Sequence, residues 1–285
     1  MIIIRLRSGL GNQMFQYAFF KQMQYWHGAD QVKLDISTYH WNAHNGREID
    51  KIFNIDLEKD SVPPDVSLQY ADVGYKLHHR ILRRLRGRRH HAYKYWKEID
   101  LEEYKTLDQV YLEGFWNEEK YFKDVQPEVR QAYRFNVNLN EKESVLLDQM
   151  QQVESVAVHV RRGDYKKFPK SFPMCQPSYY AEAQKILKEK KNDLHFFVFS
   201  DDIAWCRKKL SFLDHVVFVE NKKLRNAYKD MMFMSRCRHN IIANSTFSWW
   251  AAWLNNNAEK IVVYPESVSL TYSSMPCGWT SLKSK

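Results

Sequence analysis

Residues 155–165 read SVAVHVRRGDY. A short apolar, β-branched run is followed at once by a histidine, two adjacent arginines, a glycine and an aspartate. Such a run, bounded by turn formers, reads as a strand buried on both faces, which is the signature of a parallel sheet covered by helices. Its end is an expensive place for two guanidiniums, because a buried charge without partners costs several kcal/mol or more. Either the arginines pair internally, with Asp164, Asp201 or Asp202 as the available carboxylates, or they are held for an anionic ligand. Strand alternation sends Arg161 and Arg162 to opposite faces, so one of them can be structural while the other meets a ligand.

The pattern continues on the C-terminal side. Strands LHFFVFS (194–200), HVVFVE (215–220), HNIIA (239–243) and KIVVYP (260–265) alternate with helices at 177–190, 202–210, 224–237 and 246–256. Short apolar strands separated by helices of about 10–15 residues predict a parallel, Rossmann-like sheet. On the N-terminal side a strand at Ile2–Leu6, a glycine loop, a helix from about Gln13 to His27 and a strand at Val32–Ile36 make a β-loop-α-β start. Residues 40–107 are polar and poorly patterned, broken by Pro63-Pro64, and read as an irregular insertion with some helix. A strand at 109–115 follows, then a helix carrying EEKYF and VRQAYRF. Two α/β halves are expected, residues 1–145 and 146–285.

Composition is globular, with 44% apolar and 15% aromatic residues. No apolar stretch reaches the length of a membrane span, and the start MIIIRLRSGLG is too short and too soon charged for a signal peptide. Four scattered cysteines without a C-x-x-C pair suit reduced thiols in a cytosol. Asn244-Ser245-Thr246 matches a glycosylation sequon but lies in an apolar context. The net charge of +9 is local: residues 76–97 hold nine Lys or Arg and no acid, which leaves 34 basic against 34 acidic residues elsewhere. That run is either a solvated helix or loop, or a patch for anionic lipid headgroups or an anionic acceptor. It lacks the modules of a nucleic-acid binder.

In open α/β sheets, ligands bind at the carboxyl ends of the strands. The polar strand ends here are His159–Asp164, Ser200-Asp201-Asp202, Asn244-Ser245-Thr246 before Phe247, and Arg7–Gln13, which contains Gly9, Gly11 and Asn12. Together they read as a nucleotide site. An arginine fork matches phosphate geometry at every useful pH. Ser245 and Thr246 precede a helix, whose N-terminus favours a phosphate; a plain N-cap is the other reading. Asp202 can accept from the N1–H and amine of guanine, or can simply cap the helix after it. G-x-G at 9–11 lacks the third glycine of a dinucleotide fingerprint, with Met14 in its place. No D-x-D, Walker, H-E-x-x-H or G-x-S-x-G motif is present, so positive side chains rather than a metal are expected to supply the electrostatics.

HVRRGDY, FSDD, ANSTFSWWAAWL, GLGNQMFQYA and GFWNEEKYF, in that family's order along the chain, resemble the bacterial α-1,2-fucosyltransferases (glycosyltransferase family eleven). The resemblance runs from residue 2 to about residue 265 and is thin over 40–107. It implies a GT-B-type α/β architecture of two Rossmann-like halves facing a cleft. It also implies metal-independent, cofactor-free, inverting transfer of L-fucose from GDP-β-L-fucose to the 2-hydroxyl of a galactose. In the same terms, Arg161 would hold the β-phosphate with Arg162 and His159 beside it, Asp202 would read guanine, and Ser245, Thr246 and Phe247 would line the pocket. Asn12 would lie near the reacting centre. Asn117 departs from the family, where glutamine is commoner. Asp35 and Glu113 are candidate bases by location alone.

The expected acceptor is a galactose-terminated, lipid-linked surface glycan of O-antigen type. The expected place is the cytoplasm, with residues 76–97 touching the inner membrane face. Other linkages, another GDP-sugar, or a non-catalytic polyanion- or nucleotide-binding protein are the alternatives.

Overall fold

Four buried residues at the very start, Ile2–Arg5, form β1. The computed structural model describes residues 1–37, 45–70, 93–95, 100–220, 227–266 and 275–283, with backbone alone at 68–70 and 93–95. Val32–Asp35 form β2, Tyr93–Tyr95 form β3 and Val110–Glu113 form β4. All pair in parallel, in the order β2-β1-β4-β3. The helix Leu10–His27 connects β1 to β2 and buries Met14, Phe15, Phe19, Phe20 and Met23. Phe19 stacks on Trp116 at 4.2 Å between ring centroids, which anchors this helix to the chain leaving β4.

Part of the insertion departs from the irregular reading. Tyr93–Tyr95, inside the basic run, adds a strand beside β4; alternating Tyr-Lys-Tyr suits an edge position that periodicity over three residues cannot reveal. The rest of 76–97 lies outside the described residues. Short helices at Pro64–Tyr70 and Leu101–Lys105 flank it.

The second sheet has six parallel strands: β5 (Glu154–Val160), β6 (Leu194–Ser200), β7 (Val217–Phe218), β8 (His239–Ile241), β9 (Val262–Pro265) and β10 (Thr280–Leu282). Their order is β10-β9-β8-β5-β6-β7. β5 runs in register with β6 from Glu154↔Leu194 to Val160↔Ser200. On one face, the helix Pro177–Lys188 buries Tyr179, Tyr180, Ala183 and Leu187, the three-to-four spacing of an amphipathic helix. The Tyr179 hydroxyl donates to the Ile242 carbonyl at 2.7 Å. The helix Thr246–Leu254 is apolar on every side and buries Trp249, Trp250 and Trp253.

The chain divides into Met1–Asn136 and Val137–Lys285. A cut at residue 145 would split the helix Glu141–Gln152, whose start is fixed by a capping box of Asn140 and Glu143. Glu143 also pairs with Lys229 of the same unit at 2.7 Å. Each unit is a parallel α/β sheet, and the fold is of the GT-B class. Among the described residues no helix is long and apolar enough to cross a membrane. Cys175, Cys206 and Cys237 are buried, without disulfide partners; burial pushes the thiols of Cys175 and Cys237 up to about 12 and that of Cys206 up to about 11.

Candidate functional site at the carboxyl end of the second sheet

The order of the second sheet decides where a ligand belongs. From β5 the chain builds outward through β6 and β7, then returns to the other flank of β5 with β8, β9 and β10. The topological switch point therefore lies between β5 and β8, and the crevice beyond their carboxyl ends is where open α/β sheets take ligands. His159, Arg161 and Arg162 come off β5 there; Asn244, Ser245 and Thr246 come off β8.

Both arginines are ion-paired, with different partners. Arg161 bridges Asp164 and Asp201, 2.9 Å to each, and lies 5.7 Å from the Tyr165 ring centroid. Its side chain is still 30% exposed. The Arg162 Nε donates to Asp202 at 3.2 Å, and its guanidinium sits 3.9 Å over the Trp205 ring. The Arg162 backbone N–H donates to Asp201. Asp201 is pressed so close to Gly163 that a Cβ there would stand 2.7 Å from its Oδ2; this turn needs glycine for space.

Asp202 takes the capping role. It accepts from the Trp205 N–H at the start of the helix Ile203–Lys209, and Lys166 reaches it at 2.6 Å. The bond from Lys166, more than any other contact, holds its carboxyl below the usual range. The Ser200 hydroxyl accepts from the Asp202 N–H, closing the same turn.

Ser245 does the opposite. It stands at the N-cap position of the helix Thr246–Leu254 but makes no side-chain capping bond, so the plain-cap reading is not realised. The helix start carries the dipole's positive end, with Arg161 one strand away. Asn244 is buried; its amide donates to the Pro173 carbonyl at 2.6 Å and its own carbonyl accepts from the Tyr165 hydroxyl. That burial removes the sequon from reach. His159 packs 5.6 Å from Phe247. Burial, and secondly the Arg161 charge, push its pKa down to about 3, so its imidazole is neutral.

The remaining candidates lie in the N-terminal unit, whose own switch point falls between β1 and β4. The amide of Asn12 donates to the Ser8 hydroxyl, and Ser8 holds a left-handed φ of 72°. Gly11 is buried in the first helical turn. Asp35 is fully buried and accepts from the Tyr111 hydroxyl at 2.6 Å and the Ser37 N–H. Glu113 is held between Arg5 at 2.9 Å and Arg7 at 2.8 Å. These partners give both carboxylates structural work, which location alone did not reveal. Asn117 is buried with neither amide atom hydrogen-bonded.

Sequence reasoning overlooked Tyr165, Lys166 and Trp205, which brace the arginines and Asp202, and the buried glutamines of the first helix. Gln13 donates to the carbonyls of Ser8 and Gly46 and accepts from the N–H groups of Glu48 and Ile49. Gln16 accepts from Arg7 and donates to Gly114. Their signal was present: two amides three residues apart on the apolar side of a helix need backbone partners.

Residues 79–274 match the model of Glycosyl transferase family 11. The chain belongs to glycosyl transferase family 11. Among curated proteins, an Escherichia coli alpha-1,2-colitosyltransferase is 34% identical over 280 residues, covering 93% of this chain and 91% of that one. The E. coli O-antigen biosynthesis glycosyltransferase WbnK is 37% identical over 121 residues, 40% of this chain and 39% of its own. Among solved structures, a variant of Arabidopsis thaliana FUT1 in complex with GDP superposes with a TM-score of 0.51 at 12% identity, covering 94% of this chain and 72% of that one. At that identity the likeness concerns fold alone. This family 11 chain is a glycosyltransferase, and one of its relatives is named for O-antigen biosynthesis.

Proposed function

We propose that the protein transfers L-fucose, with inversion and without a metal, from GDP-β-L-fucose to the 2-hydroxyl of a galactose in an O-antigen-type surface glycan. The observation that carries this reading is the switch point between β5 and β8. There a partly exposed guanidinium leaves β5, and the neighbouring β8 leads into a helix start whose N-cap hydroxyl is not engaged in capping. As the sugar–phosphate bond breaks, C1 gains oxocarbenium character and charge collects on the leaving diphosphate. A fixed cation and the amides of a helix start are the means to stabilise that charge. Arg161 is assigned to the β-phosphate because it is the more exposed of the two, 30% against 14%. Arg162, stacked on Trp205 and bonded to Asp202, is assigned to holding the wall of the site. The acceptor is assigned to the N-terminal unit, through the loop that carries Asn12.

One observation favours a second donor. The relative that matches over most of the chain is named for colitose, which is fucose without its 3-hydroxyl. A site built to hydrogen-bond that hydroxyl rejects the deoxy sugar by roughly 10⁴-fold, whereas an apolar pocket discriminates by only about 10–200-fold. The purified protein, with EDTA present, is given GDP-fucose or GDP-colitose and a panel of β-galactosides, and the product linkage is read by NMR. GDP release with an α-1,2-fucosyl product is expected. Turnover with GDP-colitose alone would move the donor assignment, and dependence on added metal would overturn the electrostatic one.

A further inference from the structure

The far end of the second sheet holds a cluster that the proposed reaction does not use. Asp193 directly precedes β6, His195 is the second residue of that strand, and His215 stands two residues before β7. The six residue steps of β6 from Leu194 to Ser200, at about 3.3 Å each, separate this end from Ser200 by about 20 Å.

The donor atoms converge. The His195 Nε2 lies 3.5 Å from Asp193 Oδ1, and the His215 Nε2 lies 3.9 Å from the same oxygen. One ligand atom from each of the three residues falls within 4.8 Å of the others. The two imidazoles stack at 4.6 Å with 20° between planes. Donors held about 2.0–2.1 Å from a tetrahedral zinc ion stand about 3.3 Å apart; the spacings of 3.5 and 3.9 Å to Asp193 are near that, and side-chain rotation would have to bring the remaining pair closer.

The surroundings suit a cation. A hollow of about 350 Å³ adjoins the cluster and is lined by Lys188, Lys191, Asp193, Asp214 and His215. Both ammonium groups already have carboxylate partners, Lys188 with Asp214 and Lys191 with Glu259, so the local charge is close to balanced. Asp193 and His215 both take left-handed φ values, 51° and 41°, which few non-glycine residues do.

We propose that Asp193, His195 and His215 form a binding site for a borderline transition-metal dication, of the zinc class, with water at the fourth position. Two imidazoles and a carboxylate are the donor set such ions prefer. A bound ion would tie the turn before β7 to the start of β6. Because it would favour the folded chain, it would raise stability by mass action.

The test measures zinc binding against a competing fluorescent indicator after EDTA treatment, together with thermal unfolding. The basic run carries His78, His79, His90 and His91, which can take zinc themselves, so the parent for this experiment has those four changed to glutamine. That parent is expected to bind one equivalent of zinc and to gain Tm with ZnCl2 but not MgCl2. His195→Ala and His215→Ala should each weaken binding by about tenfold or more and abolish the Tm gain, with transferase activity unchanged. If the parent folds poorly, the unmodified chain should lose one equivalent on His195→Ala. Zinc uptake by His195→Ala equal to its parent's, or an equal Tm gain from magnesium, overturns the site.

Discussion

Each unit of this protein places two arginines at or just beyond the end of its first strand, and the two pairs meet opposite fates. Arg5 and Arg7, at the end of β1, both close on Glu113 of β4, which lies across the N-terminal switch point. Arg5 is only 7% exposed and Glu113 only 1%. Arg161 and Arg162, beyond β5, draw their carboxylates from their own loop and from the end of β6, the strand away from the switch point. On the switch side stands β8, which is followed by Asn244, Ser245 and Thr246 and offers no acid. Arg5, sealed across the switch, ties β1 to β4. Arg161, braced from the side, has no carboxylate on its switch-point flank.

That contrast can be broken most forcefully at Glu113. Glu113→Gln leaves the buried Arg5 without its bonded carboxylate and also strips the partly exposed Arg7 of its partner, a loss of about 3–5 kcal/mol. Urea unfolding should report it; a loss no larger than for a surface substitution would mean the N-terminal pair is not sealed.

At the C-terminal pair the expectation inverts. Arg161→Ala should cost roughly 10²–10³ in kcat, about 2.7–4 kcal/mol of transition-state stabilisation, while Tm moves little, since partly exposed ion pairs contribute about 1 kcal/mol or less. Arg162→Ala should cost less activity. A larger loss for Arg162→Ala would exchange the roles of the two arginines.

A third test is a pH dependence. His159 resists, in the folded protein, a proton that the unfolded chain accepts near 6.5. Its contribution to stability is therefore intact above that pH and is lost as pH falls from about 6.5 toward about 3. Plots of Tm against pH should be flatter over that window in His159→Gln; identical slopes would show that His159 is not held neutral.

Much of this was legible in the sequence because long parallel strands buried on both faces leave plain apolar runs: β5 and β6 appear almost residue for residue. The edges did not. HVVFVE reads as six residues of strand, yet only Val217–Phe218 pair, because an edge strand has one neighbour and Val217 faces solvent. β10 has no apolar signal and exists through its pairing with β9. At the site, the residue types were readable but their partners were not. Asp202 caps its helix while Ser245 does not, although both residue types are good N-caps in sequence. That Glu113 is sealed depends on Arg5 and Arg7, more than a hundred residues earlier in the chain.

The gradient of strand length in the second sheet bears on how the protein behaves when crowded. Its centre, β5 and β6, has seven residues in each strand, whereas the rims, β7 and β10, have two and three. A rim strand exposes unpaired amides and carbonyls on which another chain can add itself. With so few such groups on either side, the longest and stickiest β segments of the molecule are kept where no second copy can extend them.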